Sequence, residues 1–286
     1  MPNSLPKESA RKPHLGATGL AVAATMEETH QSVEKEVEMI RRAVGVLVGV
    51  VAVFGVIAAL AGFFWIYAAV IGVLALALVV MGTWYMKGGH FEKVRTQKLA
   101  AWPFQDNQGK ILMIGSSSFE YWKAPEQDLA PLDVINLGIG GTAISHWTTY
   151  LDSTVVPYAP KGVMVYAGLN DFNTRANPEA VFARMKELLD GLEQKLAGVT
   201  VLCLGLCPTV ARASNWSDIQ KFNAMVAELC ESKPGLHFLD STAEILDAGG
   251  QLQKEIYRFD GIHFNDRGYA CWVKSVNPAA QAVFSR

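Results

Sequence analysis

Four short blocks of small and polar residues stand out in this 286-residue chain. They are the stretches 115–118 (GSSS), 136–141 (NLGIGG), 168–171 (GLND) and 260–263 (DGIH). Together they contain serine, asparagine, aspartate and histidine. A serine hydroxyl is a poor nucleophile unless a neighbouring base takes its proton, and histidine suits that task because its pKa lies near working pH. The residue types therefore fit acyl transfer through serine, provided that the fold brings the blocks together.

The elements that must position these blocks are apolar segments with the character of buried strands. We predict strands over 110–115, 133–138, 163–168, 200–207 and 237–241. Helical stretches alternate with them, and the clearest is 178–196, with Asn177 as N-cap and Pro178 at its first position. This alternation predicts an α/β fold, a three-layer α/β/α flavodoxin-like domain with a five-stranded parallel sheet. Because functional groups collect at the carboxyl ends of such strands, we expect the blocks to share one edge.

The wider context of the blocks reads IGSSSFEYW, VINLGIGGTAIS, VVPYAPKGVMVYAGLNDF and DGIHFNDRGYACW. In this order and spacing they resemble the SGNH (GDSL-like) hydrolase superfamily, especially the bacterial GSSS branch related to platelet-activating-factor acetylhydrolase. The resemblance covers residues 109–286. It implies a serine esterase that uses neither a metal nor a cofactor.

The resemblance also implies roles for individual residues. Ser117 matches the nucleophile because it stands two positions after Gly115. His263 matches the general base, and Asp260 matches the carboxylate that orients it and stabilises the imidazolium. The family's usual aspartate before the nucleophile is replaced here by Ser116, so Ser116 stays open as an alternative nucleophile.

Gly141 and Asn170 match the oxyanion-hole residues, together with the backbone N–H of Ser117. A glycine lets its N–H approach closely because it has no Cβ, and asparagine offers a side-chain donor. Each block also has an ordinary structural alternative, such as a helix cap or a tight turn. All of these alternatives would have to hold at once while reproducing one family's order, so the sequence favours an active site.

Four aromatic residues fall near the expected site, and the sequence assigns them equally to an acyl pocket or to core packing. They are Trp122, Trp147, Phe172 and Trp216. His146 lies just after the glycine-rich block, and we expect it to be a helix-face residue without catalytic duty.

Residues 43–85 contain no charged side chain, which is too long a stretch for one perpendicular span of a bilayer. We predict a transmembrane hairpin of two helices, about 43–61 and 64–85, turning near Gly62. One long tilted span is the alternative. A secretory signal is disfavoured because the stretch is too long and starts after some forty polar residues.

Basic residues flank the hairpin on both sides, Arg41 and Arg42 before it and Lys87 and Lys93 after it. The positive-inside rule then predicts a two-pass inner-membrane protein with its catalytic domain in the cytoplasm. A single span would reverse that orientation. The four cysteines lack disulfide or metal-ligand spacing, which agrees with a reducing compartment.

The other segments are predicted as a disordered N-terminus (1–25), an acidic juxtamembrane helix (26–42) and a linker (86–108). Met26 is an alternative start of the chain. The formal net charge is −2 without a basic patch interleaved with aromatics, which excludes nucleic acid as a partner class.

The leading hypothesis from the sequence is a membrane-anchored serine esterase. The bilayer contact through 43–85 favours a lipid-like, short-acyl or thioester substrate. The alternatives are an O-deacetylase of carbohydrate or cell-envelope conjugates and a non-catalytic membrane scaffold that retains the fold.

Overall fold

The computed structural model of the chain describes residues 38–57, 59, 62, 64–84, 89–173, 177–247 and 249–285. The chain forms two compact units, one ending at Lys87 and one beginning at Gly88. The predicted disordered N-terminus and most of the predicted acidic helix lie outside the described residues.

The N-terminal unit contains two apolar helices, α1 (Glu38–Ile57) and α2 (Phe64–Trp84). Stretches of 20 residues in α1 and 18 residues in α2 are long and apolar enough to cross a membrane, with mean hydropathies of 2.1 and 2.4. Neither stretch is buried within the protein. A helix that is apolar on every side suits lipid or a large protein core, so both helices meet the length and composition of the predicted hairpin.

The second unit is built on a sheet of five parallel strands. These are β1 (Ile111–Gly115), β2 (Val134–Asn136), β3 (Gly162–Tyr166), β4 (Thr200–Leu204) and β5 (Leu236–Leu239). Their order is β2-β1-β3-β4-β5, and all four pairings are parallel. The α/β fold with a five-stranded parallel sheet is therefore confirmed. The strand order reverses between β1 and β3, the place where sheets of this kind bind ligands.

Eight helices of the described part of this unit surround the sheet. They are α3 (His90–Ala101), α4 (Ser117–Glu120), α5 (Pro125–Asp128), α6 (Ile144–Thr149), α7 (Leu151–Thr154), α8 (Pro178–Lys195), α9 (Trp216–Ser232) and α10 (Asp266–Phe284). Helix α8 begins as the sequence predicted, because the Asn177 side chain accepts hydrogen bonds from the backbone N–H groups of Glu179 and Ala180.

Helix α3 lies in the segment 86–108, which the sequence assigned to a linker. Its residues Phe91 and Val94 are buried, and the Phe91 ring meets Trp147 edge-on with 6.1 Å between ring centroids. The compact unit accordingly begins at Gly88 rather than at 109. The apolar positions three apart supply a short buried face, which is enough to dock a helix on a larger core.

Helix α10 ties the end of the chain to the start of α4. Trp272 is fully buried, and its ring packs against Phe119 at 5.9 Å and Tyr166 at 5.0 Å between centroids. The Tyr269 hydroxyl donates to the Ser118 carbonyl at 2.7 Å. The helix after the DGIH block is thus packed against the turn that carries the serine block.

Candidate active site

The serine block forms the sharp turn from β1 into α4. Gly115 ends β1, and a Cβ at this position would collide with the backbone carbonyl of Tyr166. Ser116 is extended and buried, and its N–H donates to the same carbonyl at 3.2 Å. Ser117 then opens the helix. The turn therefore holds one serine against the sheet and presents the next at the carboxyl end of β1.

Ser117, His263 and Asp260 form one hydrogen-bonded chain. The Ser117 Oγ lies 2.8 Å from His263 Nε2, and His263 Nδ1 lies 2.7 Å from Asp260 Oδ2. An Nδ1–H that donates to the carboxylate leaves the Nε2 lone pair to accept the serine hydroxyl proton. The histidine contacts Ser117, 146 positions earlier in the chain, and not the alternative Ser116. The fold thus assembles the arrangement that nucleophilic catalysis requires.

A tight turn fixes the carboxylate of Asp260. Its Oδ1 accepts the backbone N–H groups of Ile262 at 2.8 Å and His263 at 3.0 Å, while Gly261 adopts a φ of +65°. Partial burial acts to raise the pKa of Asp260, but the hydrogen bonds from the His263 ring and from both N–H groups outweigh it and lower that pKa. The carboxylate is therefore ionised and held in place beside the imidazole.

Two further residues contact the histidine, Tyr121 through its ring and Arg258 through its backbone. The Tyr121 ring meets His263 edge-on with 4.9 Å between centroids, and the Arg258 guanidinium lies 4.7 Å from the Tyr121 ring centre. The backbone N–H of Arg258 also donates to the His263 carbonyl at 2.7 Å. Neither residue was predicted from the sequence. Tyr121 could have been found from its place four residues after Ser117, which brings it one helical turn further along the same side of the chain.

The glycine-rich loop after β2 passes close to the serine. A Cβ at Gly140 would lie 3.6 Å from the Ser117 Cβ, and the Gly140 N–H donates to Glu120 Oε2 at 2.7 Å. Gly141 has a φ of +74°, which favours glycine. Within the described part of the chain, the backbone N–H groups of Ser117 and Gly141 have no acceptor. Both donors are thus available to an oxyanion.

Asn170 follows β3 and is bonded to the loop that carries Gly141. Its Nδ2 donates to the Thr142 carbonyl at 3.0 Å, and its Oδ1 lies 3.4 Å from the Arg212 guanidinium. The Thr142 hydroxyl lies 3.1 Å from the Gly115 carbonyl oxygen. Three of the four blocks therefore meet at the carboxyl ends of β1, β2 and β3, and the fourth reaches them through His263. Arg212 carries no motif of its own and was missed from the sequence.

Most of the aromatic residues that the sequence placed near the site belong to the core. Trp122, Trp147 and Phe172 are buried, and Trp216 is partly buried against the core. His146 accepts the N–H of Ala143 through Nδ1, which agrees with a structural role at the start of α6. In the described residues, no group of three or more His, Cys, Asp or Glu side chains is arranged to hold a metal ion.

Comparisons with known proteins agree with this geometry. The sequence matches the model of the GDSL-like Lipase/Acylhydrolase family over residues 115–271, more than half of the chain. A protein from Streptococcus pneumonia, described as a candidate platelet activating factor, superposes with a TM-score of 0.62 at 22% identity, over 72% of this chain and 98% of that one. A GDSL-like lipase from Bacteroides thetaiotaomicron superposes with a TM-score of 0.53 at 18% identity, over 68% of this chain and 98% of that one.

One relative is similar to this chain over only part of its own length. An N-acylneuraminate cytidylyltransferase from Escherichia coli is 26% identical over 166 residues, which make up 57% of this chain. The match spans only 38% of that relative's length. The similarity to solved structures shows the fold, and the family match covers all four polar blocks. The chain belongs to the GDSL-like lipase/acylhydrolase family and is a carboxylic ester hydrolase.

Proposed function

We propose that this chain is a membrane-anchored serine esterase that cleaves carboxylic esters through an acyl-Ser117 intermediate. The observation that carries the proposal is the hydrogen-bonded chain from Asp260 through His263 to the Ser117 hydroxyl. Every member is held by the fold: the serine by the turn after β1, the histidine by the carboxylate, and the carboxylate by two backbone N–H groups.

In the acylation step, His263 Nε2 takes the hydroxyl proton while Ser117 Oγ attacks the ester carbonyl carbon. The carbonyl oxygen becomes an oxyanion, and Asp260 stabilises the imidazolium that forms. The tetrahedral intermediate then expels the alcohol, which receives the proton from Nε2. The products of this step are the free alcohol and an acyl ester on Ser117.

Deacylation repeats the sequence with water as the nucleophile. His263 takes a proton from water, the hydroxide attacks the acyl carbon, and the collapse of the second tetrahedral intermediate returns the proton to Ser117 Oγ. The released product is the carboxylic acid. No group other than these side chains is needed for the proton balance.

The oxyanion is stabilised in both steps by fixed donors. We assign these as the backbone N–H groups of Ser117 and Gly141 and the Nδ2 of Asn170. Donors held in position before the reaction stabilise developing charge without a reorganisation cost. The free N–H groups of the two backbone donors support this assignment.

The two apolar helices favour a substrate that partitions into a bilayer, namely a lipid-like ester, a short-acyl ester or a thioester. Helices α1 and α2 are each long and apolar enough to span a membrane. Arg41 and Arg42 precede the apolar stretch and Lys87 and Lys93 follow it, which supports a two-pass inner-membrane topology with the catalytic domain in the cytoplasm.

A second candidate is the O-deacetylation of carbohydrate or cell-envelope conjugates. The favouring observation is the relative named for N-acylneuraminate, an acylated sugar, which shares 26% identity with part of this chain. A short acyl group on a bulky polar alcohol uses the same nucleophile and oxyanion donors, so the two candidates differ only in the alcohol that the site accepts.

The direct test is hydrolysis of p-nitrophenyl acetate and butyrate by the full chain in detergent micelles. Ser117→Ala should abolish hydrolysis and labelling by a fluorophosphonate probe, while the matched control Ser116→Ala retains both. Wild-type hydrolysis no faster than that of Ser117→Ala would overturn the esterase proposal and favour a non-catalytic scaffold. Loss in Ser116→Ala alone would move the nucleophile to that residue.

Two further measurements separate the finer proposals. A panel of lysophospholipids, acyl thioesters and O-acetylated sugars, assayed with and without micelles, ranks the two substrate classes by kcat/KM. A reporter fused to the C-terminus of the chain gives the topology. A reporter that is active only outside the cytoplasm contradicts the proposed orientation.

A further inference from the structure

Arg212 contacts Asn170, whose side chain we assign as a hydrogen-bond donor to the oxyanion. It lies in the short 3-10 segment Val210–Asn215, which follows β4. Its Nη1 donates to the Leu169 carbonyl, and its Nη2 lies 3.4 Å from Asn170 Oδ1. We propose that Arg212 is a positioning residue that fixes the orientation of the Asn170 amide and strengthens its N–H donors for ester hydrolysis. This inference rests on the proposed function.

The two ends of the Asn170 amide face partners of opposite character. Oδ1 faces a guanidinium, which can only donate hydrogen bonds. Nδ2 donates at 3.0 Å to the carbonyl of Thr142, which can only accept. A rotation of the amide by 180° would place donor against donor and acceptor against acceptor. Arg212 and the Thr142 carbonyl therefore select one orientation of Asn170.

In this orientation one N–H bond of Asn170 Nδ2 stays available to the substrate. Nδ2 carries two N–H bonds, and the Thr142 carbonyl uses one of them. The other is available to the oxyanion. Because Thr142 directly follows Gly141, the same hydrogen bond ties the side-chain donor to the loop that carries a backbone donor. Arg212 thus acts on the oxyanion through Asn170.

The charge of Arg212 adds a second effect. Within the described residues Arg212 makes no ion pair with a carboxylate, so its charge is not neutralised locally. Partial burial lowers the pKa of the guanidinium, which nonetheless stays protonated because an unperturbed arginine titrates far above neutral pH. A cation hydrogen-bonded to Oδ1 draws electron density from the amide and makes its N–H groups better donors.

The 3-10 segment also contacts the turn that carries the triad carboxylate. The Ala211 N–H donates to the Gly261 carbonyl at 3.0 Å, and a Cβ at Gly261 would lie 3.1 Å from Val210 Cβ. We expect substitutions that remove only the end of the Arg212 side chain to leave these contacts unchanged, because the guanidinium takes no part in them. They can therefore probe the guanidinium without displacing Asp260.

The test is a double-mutant cycle on the full chain in detergent micelles, with p-nitrophenyl acetate as substrate. Arg212→Met should lower kcat about 10- to 50-fold with KM nearly unchanged, because the lost stabilisation belongs to the transition state. In an Asn170→Ala background, the same substitution should change kcat by less than about threefold. Arg212→Lys, which keeps the charge, should recover part of the loss.

Arg184→Met is the matched control. Arg184 is paired at 3.0 Å with Asp171, the neighbour of Asn170, so its loss reports the general effect of removing an arginine from this loop. We expect its effect on kcat to be the same with and without Asn170.

Three outcomes would overturn the inference. An equal loss of kcat from Arg212→Met in both backgrounds would show an action independent of Asn170, and a change confined to KM would show a substrate contact. A purely structural role would be shown by an Arg212→Met variant whose loss of activity is accounted for by a lower thermal unfolding midpoint and is not rescued by Arg212→Lys. Absence of Ser117-dependent hydrolysis in the wild type would instead overturn the proposed function and this inference with it.

Discussion

The proposed proton-transfer half of the site and its proposed oxyanion half are built in different ways. Asp260 and His263 are three residues apart, and hydrogen bonds within one turn hold the carboxylate beside the ring. Asn170 and the glycine-rich loop depend instead on side chains from other elements, Arg212 after β4 and Glu120 on α4. The chemistry of the first half is encoded locally, whereas the second half is encoded by tertiary packing.

This difference predicts two kinds of mutational effect. A substitution in the proton-transfer half removes a reacting group or its direct partner, so its effect on rate should be large. A substitution of a residue that holds the oxyanion donors in place should leave the reacting groups intact and lower kcat by a smaller factor. The following changes test this contrast.

Asp260→Asn should give the largest effect, about a 10³- to 10⁴-fold loss of kcat, because an amide can stabilise the wrong histidine tautomer. The variant also reports pH dependence. The lowered pKa of Asp260 means that its ionised form contributes stability above the ordinary carboxyl pKa of about 4, and that this contribution is lost as pH falls. The difference between the thermal unfolding midpoints of wild type and Asp260→Asn should therefore shrink as pH falls from about 7 to about 3. A constant difference would contradict the assigned cause.

Asn170→Ala should give the second-largest effect, a loss of kcat of about 10²- to 10³-fold, which is the usual cost of removing one oxyanion donor. KM should change little, because the donor matters most when charge develops on the carbonyl oxygen. Steady-state kinetics with p-nitrophenyl acetate and a thermal unfolding curve check both points. A loss as large as that of Asp260→Asn would remove the contrast between the two halves.

Glu120→Ala should lower kcat about 10-fold, because it frees the Gly140 N–H and loosens the loop that carries Gly141. Glu120→Gln keeps a hydrogen-bond acceptor but loses the charge, so its kcat should lie between those of Glu120→Ala and the wild type. Glu179→Ala, on the exposed first turn of α8, is the control and should keep wild-type kcat. Equal rates for wild type and Glu120→Ala would show that this carboxylate does not support the loop.

Lys98→Met should give the smallest effect on rate and a distinctive effect on stability. The Lys98 Nζ donates to the Asn136 carbonyl at 3.0 Å, and burial lowers its pKa from 10.5 to about 8, although Glu120 and Glu126 oppose that shift. The unfolded chain therefore binds more protons between these two values, so stability should rise with pH across this window. Comparing the unfolding midpoints of wild type and Lys98→Met from pH 7 to 10.5 checks the sign. A wild type that loses stability relative to the variant over this range would contradict the lowered pKa.

The sequence was sufficient for the parts that depend on local pattern. Apolar runs predicted all five strands to within a few residues, and the four blocks predicted which residues the carboxyl edge brings together. The fold and the enzyme class followed from these. The precise strand ends differed because buried apolar residues continue beyond the paired segment, as with Leu206 and Cys207 after β4.

The supports of the site could not be predicted because they join distant positions without a motif. Arg212 meets Asn170 across 42 positions, and Glu120 meets Gly140 across 20. A lone arginine or glutamate in a loop or helix is most often a solvated surface residue. Helix α3 was missed for a related reason, because only two of its twelve residues are buried and its polar face resembles a linker.

The one-turn helix α4 has a consequence for mutational tolerance. Its four side chains are all constrained: Ser117 is hydrogen-bonded to the histidine, Ser118 and Phe119 are buried, and Glu120 accepts the Gly140 N–H of the glycine-rich loop. A library that randomises these positions should contain few active members beyond the native sequence. Loops that touch neither serine nor oxyanion carry no such constraint, so divergence towards new esters in this lineage is expected to accumulate in those loops.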